Sequence, residues 1–249
     1  TQYRLVRVYQ TGKTFFRIKD GTTEIAATAL SNCENLEILY VPESVEKAGE
    51  NFLSGCTSLE TVVSENTKLF AENNYGAEDT AEILTAGDKF RKFLWDNGVI
   101  YGGNEDKTWT LLNVPTDFNG GLTTPVGTSV IYKEAMKGCK DFKYIHIQDD
   151  LALREIGESA FEDCTILQQF DLKACTNLIS IGDRAFYGCS AFAQILLPES
   201  LETIGNQAFY RCTALEKISG AGICEIGDQA FYECGSLMTA DIFNSVEIL

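Results

Sequence analysis

The amino-acid sequence predicts an α/β solenoid whose coils each run strand, turn and short helix, and three observations point to it. The phrase "IGDRAFYGC" at Ile181–Cys189 returns as "IGNQAFYRC" at Ile204–Cys212, with "IGESAFEDC" from Ile156 before them and "IGDQAFYEC" from Ile226 after. The cysteines that close these phrases, Cys164, Cys189, Cys212 and Cys234, stand 25, 23 and 22 residues apart. Self-similarity at such a period marks a unit that cannot bury its apolar face alone and must stack on its neighbours. Within one unit the hydrophobic period changes from about four to two, which gives the coil two different sides. Seven of the nine cysteines (Cys33, Cys56, Cys139, Cys164, Cys189, Cys212, Cys234) share one repeat position, as the members of a stacked column do.

Four segments follow in order, forming one continuous solenoid. Residues 1–24 contain "YRLVRVYQTGKTFFRI" from Tyr3, which alternates apolar and polar residues around "TGK" and reads as a β-hairpin cap over the first coil. Residues 25–63 hold the first repeats: "IAATALSNC" from Ile25, then "VPESVEKAGENFLSGCTSLETV" from Val41. The latter aligns without a gap on "LPESLETIGNQAFYRCTALEKI" from Leu197. Residues 64–124 interrupt the pattern. They include "NGVIYGGNEDKTWTLLNVP", with strand-like runs at Val99–Tyr101 and Thr108–Leu112 around a polar turn, read as a modified coil with a protruding hairpin. Residues 125–249 resume the repeats with "PVGTSVIYKEAMKGC", which puts Ile131, Met136 and Cys139 in frame.

Inside a unit, Ile204, Ala208, Phe209 and Cys212 fall at helical spacings, with Gly205 at the entry. After the cysteine, Phe142, Ile145 and Ile147 show the alternation of a strand with one face buried. Pro42 and Pro198 stand where that strand must end.

A net charge of −16, from 36 acidic and 20 basic residues, repels phosphate backbones, so nucleic acid is not an expected partner. No apolar run is long enough to span a bilayer. The chain begins with Thr1 rather than Met, which reads as a mature or trimmed form with any signal peptide out of view. Stacked strands lie about 4.8 Å apart, close enough for neighbouring column cysteines to bridge, but their side chains point in parallel into the core. Buried free thiols are therefore expected there, with the off-column Cys175 and Cys224 partly exposed.

No chemistry emerges from the motifs. "TGKT" at Thr11–Thr14 resembles the end of a phosphate-binding loop, but Arg7 stands where that loop needs glycine. His146 is the only histidine, and in "KYIHIQDD" it turns outward between inward-facing Ile145 and Ile147, a solvated residue rather than a catalytic one. The cysteines form no CxxC pair, and acidic pairs such as Glu105–Asp106 lack the ligand spacing of a calcium loop. The expectation is no enzyme, no cofactor and no metal.

The phrase I-G-x-x-A-F-x-x-C-x-x-L-x-x-I-x-L-P, present in whole or part from Ile25 to Ile242, resembles the BspA-like class of bacterial leucine-rich repeat proteins. "NGVIY" and "LLNVP" are similar to an element that interrupts arrays in that family. The chain departs from the pattern at Ala26 and Tyr132 in place of glycine, at Ala48 in place of isoleucine, and in the strand after Leu215. The resemblance implies a right-handed leucine-rich repeat solenoid, exported to the cell surface or secreted, with adhesion as a recurring role and no shared catalytic residues.

Counting five and seven residues on from each column cysteine gives the outward strand rows. They are Ile38 and Tyr40, Thr61 and Val63, Tyr144 and His146, Gln169 and Asp171, Gln194 and Leu196, Lys217 and Ser219, then Thr239 and Asp241. Ile38, Tyr40, Tyr144 and His146 are the candidate partner-binding residues, because exposed aromatics supply large contact area at little entropic cost. The opposing reading is that the inserted segment folds over this half and buries it. The resulting expectation is a non-enzymatic binding module for an extracellular protein or glycan, acting through the strand face or the hairpin. The alternative is a structural spacer that displays another domain.

Overall fold

The computed structural model describes residues 2–8, 14–71, 73–78, 81–87 and 90–242. The chain divides into two compact units, Thr1–Phe93 and Leu94–Leu249.

In the first unit, Tyr3–Leu5, Thr22–Ile25 and Lys47–Ala48 form one parallel sheet. Phe15–Arg17, Ile38–Val41, Thr61–Ser64 and Glu82–Thr85 form another, in the register Ile38 to Thr61 to Glu82. Each coil contributes one short strand to each sheet. This corrects the hairpin cap expected over residues 1–24. Tyr3–Leu5 and Phe15–Arg17 lie in different sheets, each parallel to the next coil. Alternation encodes which face of a strand is buried, and it carries no information about which strand lies alongside. Residues 11–13, the expected turn, fall outside the described residues. The coil pattern also runs into the segment read as an interruption: Glu82–Thr85 extends the sheet, and Leu69, Phe70 and Ala77 join the core.

In the second unit, Val99–Gly103 pairs antiparallel with Trp109–Asn113, so the expected hairpin forms. It does not protrude. Trp109–Asn113 continues in parallel to Thr128–Ile131, and Val99, Tyr101 and Leu111 are core residues. The same sheet runs on through Glu155–Ile156, Ser180–Ile181, Thr203–Ile204 and Glu225–Ile226. On the other side, Gly120–Thr123 pairs with Phe142–His146, and Gln194–Leu196, Lys217–Ser219 and Thr239–Asp241 pair among themselves.

Among the described residues no helix forms, which corrects the short helix expected between glycine and cysteine. The amides of Ala208, Tyr210 and Cys212 bond three residues back, to the carbonyls of Gly205, Gln207 and Phe209. The amides between them, Gln207, Phe209 and Arg211, reach across to Asp228, Ala230 and Tyr232 in the next coil. A helix would need all of them to bond four residues back within the segment. Left-handed residues close these chained turns: Asn32, Gly55, Gly138, Asp163, Gly188, Arg211 and Glu233, each just before a column cysteine, all have positive φ. Turns of this kind bring apolar side chains inward about every four residues, the same spacing that reads as helical in the sequence.

The core is a pair of ladders. Phe161, Phe186, Phe209 and Phe231 stack with ring centroids 4.9, 5.1 and 5.4 Å apart. Beside them the column thiols donate to the coil before: Cys56 to the Leu30 carbonyl at 3.1 Å, Cys164 to Met136 at 3.0 Å, Cys189 to Phe161 and Cys212 to Phe186 at 3.1 Å. Burial pushes the Cys56 thiol up to about 11 and Cys164 to about 12. Cys175, expected to be partly exposed, is buried and likewise pushed up to about 12, while Cys224 is exposed.

Candidate partner-binding face

The outward rows have different fates in the two units. In the first, Ile38 and Tyr40 are 1% and 2% exposed, and Val63 is fully buried, although none of them belongs to the core cluster beneath. Both faces of these strands are covered. The Arg17 guanidinium lies 5.2 Å from the centre of the Tyr40 ring. Burial and, after it, the hydrogen bond to Glu65 hold the Tyr40 hydroxyl well above the ordinary tyrosine range. Ile38 and Tyr40 are therefore closed to a partner in this fold.

In the second unit the strand Phe142–His146 buries Phe142 and Ile145 and exposes Lys143, Tyr144 and His146. Tyr144 is 46% exposed. Its ring lies flat across Gly121 of the adjacent strand, where a Cβ would come 2.1 Å from the ring. Glycine opposite tyrosine thus leaves room for the ring to lie against the sheet. Gly121 is a residue that sequence reasoning missed, although the Gly-Gly pair at 120–121 was its signal. His146 stands beside Thr123, two positions along the same face. The row continues through exposed Gln169, Asp171, Gln194 and Lys217.

The hairpin presents little. Only its tip, Glu105–Lys107, is exposed, and Asp106 is tied to Thr108 and to Arg154 at 3.4 Å. The Thr108 hydrogen bonds, more than the Arg154 charge, lower the Asp106 carboxyl. Among the described residues, no group of three or more histidine, cysteine or acidic side chains is placed to hold a metal ion. No helix among them is long and apolar enough to cross a membrane.

Residues 9–78 and 128–249 match the BspA-type leucine-rich repeat region in six copies. The chain belongs to that family. Similar solved structures include the pneumococcal vaccine antigen PcpA, at 19% identity over 90% of this chain and 51% of that one, TM-score 0.50. A leucine-rich cell surface protein from Faecalibacterium prausnitzii A2-165 matches at 22% identity over 81% of this chain and 52% of that one, TM-score 0.46. A leucine-rich repeat protein from Eubacterium ventriosum matches at 18% identity over 93% and 61%, TM-score 0.47. The chain spans about half to three fifths of these relatives' lengths. No curated protein matches the chain.

Proposed function

We propose that this BspA-type chain is a non-enzymatic binding module of the bacterial cell surface or secreted fraction. The contact surface is the exposed strand face around Tyr144 and His146. The observation that carries the reading is the Tyr144 ring, half exposed and packed against Gly121. An aromatic surface ordered before contact loses little entropy on binding. The cell-surface description of the Faecalibacterium relative supports the location.

The test is surface capture against extracellular matrix proteins (fibronectin, laminin, collagen) and a glycan array, with wild type and Tyr144→Ala/His146→Ala. Hot-spot truncation at Tyr144 is expected to weaken capture by about 2 kcal/mol while the melting temperature holds. Capture of nothing by the wild type would favour the spacer reading, and capture that survives the substitutions would place the contact elsewhere.

A further inference from the structure

The outward sheet of the second unit is interrupted. Phe142–His146 reaches the following coil only through the Tyr144 to Gln169 bridge, and regular pairing resumes at Gln194–Leu196 with Lys217–Ser219. At that interruption a recess of about 310 Å³ opens, lined by Gln168, Gln169, Asp171, Gln194 and Leu196. Leu196 also lines a second, larger recess of about 660 Å³ that runs over Leu197, Pro198 and Ala221 beneath Lys173 and Thr176. Both volumes lie in the range of ligand sites.

The larger recess comes from a staircase of turns. Six residues (172–177) separate Asp171 from the buried Leu178, four (197–200) separate Leu196 from Leu201, and three (220–222) separate Ser219 from Ile223. The longest turn raises Lys173 as a wall and the shortest leaves Gly220-Ala221-Gly222 as a low sill. Packing fixes that sill: a Cβ on Gly222 would come 1.8 Å from the Glu199 carbonyl oxygen, and one on Gly220 would come 2.9 Å from the Leu197 Cβ.

The lining is a set of neutral hydrogen-bonding groups over an apolar floor. The side-chain amides of Gln168, Gln169 and Gln194 each offer both donors and an acceptor. Among the described residues, none of the three is engaged in a side-chain hydrogen bond. The Ser200 hydroxyl donates to the Leu178 carbonyl at 2.8 Å and so turns only lone pairs outward. One Asp171 oxygen takes the Lys173 amide at 3.0 Å, which leaves the other as an acceptor. A ligand rich in hydroxyls, each both donor and acceptor, matches this set, and its C–H faces match Leu196, Leu197 and Pro198. Two carboxylates, Asp171 and Glu199, against one Lys173, within a chain of net charge −16, disfavour an anionic ligand. We infer that the two neighbouring recesses that share Leu196, one at Gln169 and Gln194 and one at Ala221, form a binding site for a neutral oligosaccharide.

The inference rests on the binding-module reading and narrows its ligand. The probes are neutral hexasaccharides of glucose, mannose, xylose and N-acetylglucosamine, with a heparin hexasaccharide and fibronectin as contrasts. Saturation-transfer NMR and calorimetry would read binding by the wild type, Gln169→Ala/Gln194→Ala, Ala221→Trp and Tyr144→Ala. At least one neutral hexasaccharide should bind, and both groove variants should weaken it by about tenfold or more at unchanged melting temperature. No neutral hexasaccharide binding up to about 10 mM overturns the inference, as does binding that the groove variants leave intact or a preference for heparin. If fibronectin binds through Tyr144 while every sugar fails, the groove assignment falls and the binding module stands. If neither binds, both fall.

Discussion

Strands Ile38–Val41 and Phe142–His146 each follow a column cysteine, by five to eight and three to seven residues, and their outer faces differ completely. Every position of the first is buried, whereas the second shows Lys143, Tyr144 and His146 to solvent. Backbone geometry is shared, so it cannot decide the difference; the chemistry of the row does. Tyr40, Val63 and Leu84 follow one another in the first unit and are covered. Tyr144 is followed by Gln169, Gln194 and Lys217 and stays open. The polar row around Tyr144 stays open to solvent, and the apolar file is buried as a core is.

The sharpest way to break this comparison is truncation on the two faces. Tyr40→Ala should destabilise by roughly 3–5 kcal/mol, as much as Phe209→Ala in the stacked core of the other unit, since both empty a closed site. Urea denaturation that found Tyr40→Ala milder than about 1 kcal/mol would show the first face to be open after all. Next in size is Gly188→Ala, predicted to cost about 1–2 kcal/mol, because Gly188 holds φ 72° just before Cys189 and a Cβ there would meet the Asp163 carboxylate. Arg211, at the equivalent left-handed place, should conversely tolerate Ala with little thermal shift.

Tyr144→Ala should change the melting point least, by the equivalent of less than about 1 kcal/mol, since only the contact with Gly121 is lost. The smallest effect at neutral pH is chemical. Alkylation of the native protein should label Cys224 first and half-buried Cys234 after it, and the buried column only on unfolding. The folded thiols of Cys56, Cys164 and Cys175 stay protonated above the ordinary value near 9. Unfolded thiols bind fewer protons there, so stability falls as pH rises from about 9 through the folded values of about 11 and 12. A midpoint independent of pH across that window would refute the buried-column assignment.

The repeat frame was legible in the sequence because the cysteine, the phenylalanine and the isoleucine each repeat in a fixed phase. The coil's inner conformation was not, because Ile204, Ala208, Phe209 and Cys212 suit a helix and a chain of turns equally well. The residues that decide between them, Arg211 and Glu233 at positive φ, carry no left-handed preference of their own. The hairpin between Val99 and Asn113 was legible from its polar turn, but its absorption into the sheet was not, since that depends on Thr128–Ile131 arriving alongside. For the candidate site, the exposed pair Tyr144 and His146 followed from counting, and the burial of Ile38 and Tyr40 was one of two readings that counting left open. The recess over Pro198 and Ala221 was written in the turn lengths, but its meaning depends on which turns become neighbours.

The thiol ladder has a direction. Cys56, Cys164, Cys189, Cys212 and Cys234 give their hydrogens to a carbonyl in the coil written earlier, three residues before that coil's own cysteine, as Cys212 does to Phe186 and Cys234 to Phe209, while Cys139 donates to Pro115. Every unit therefore brings one donor for its predecessor and one acceptor for its successor. Duplicating or deleting a whole unit of 22–25 residues changes both by one and leaves no interior group without a mate. A mutation that cuts a unit part-way removes one without the other. Arrays with this chemistry can change length in whole coils as a gene lineage diverges, and the inequality of the spacings, absorbed by the turns outside the ladder, costs the ladder nothing.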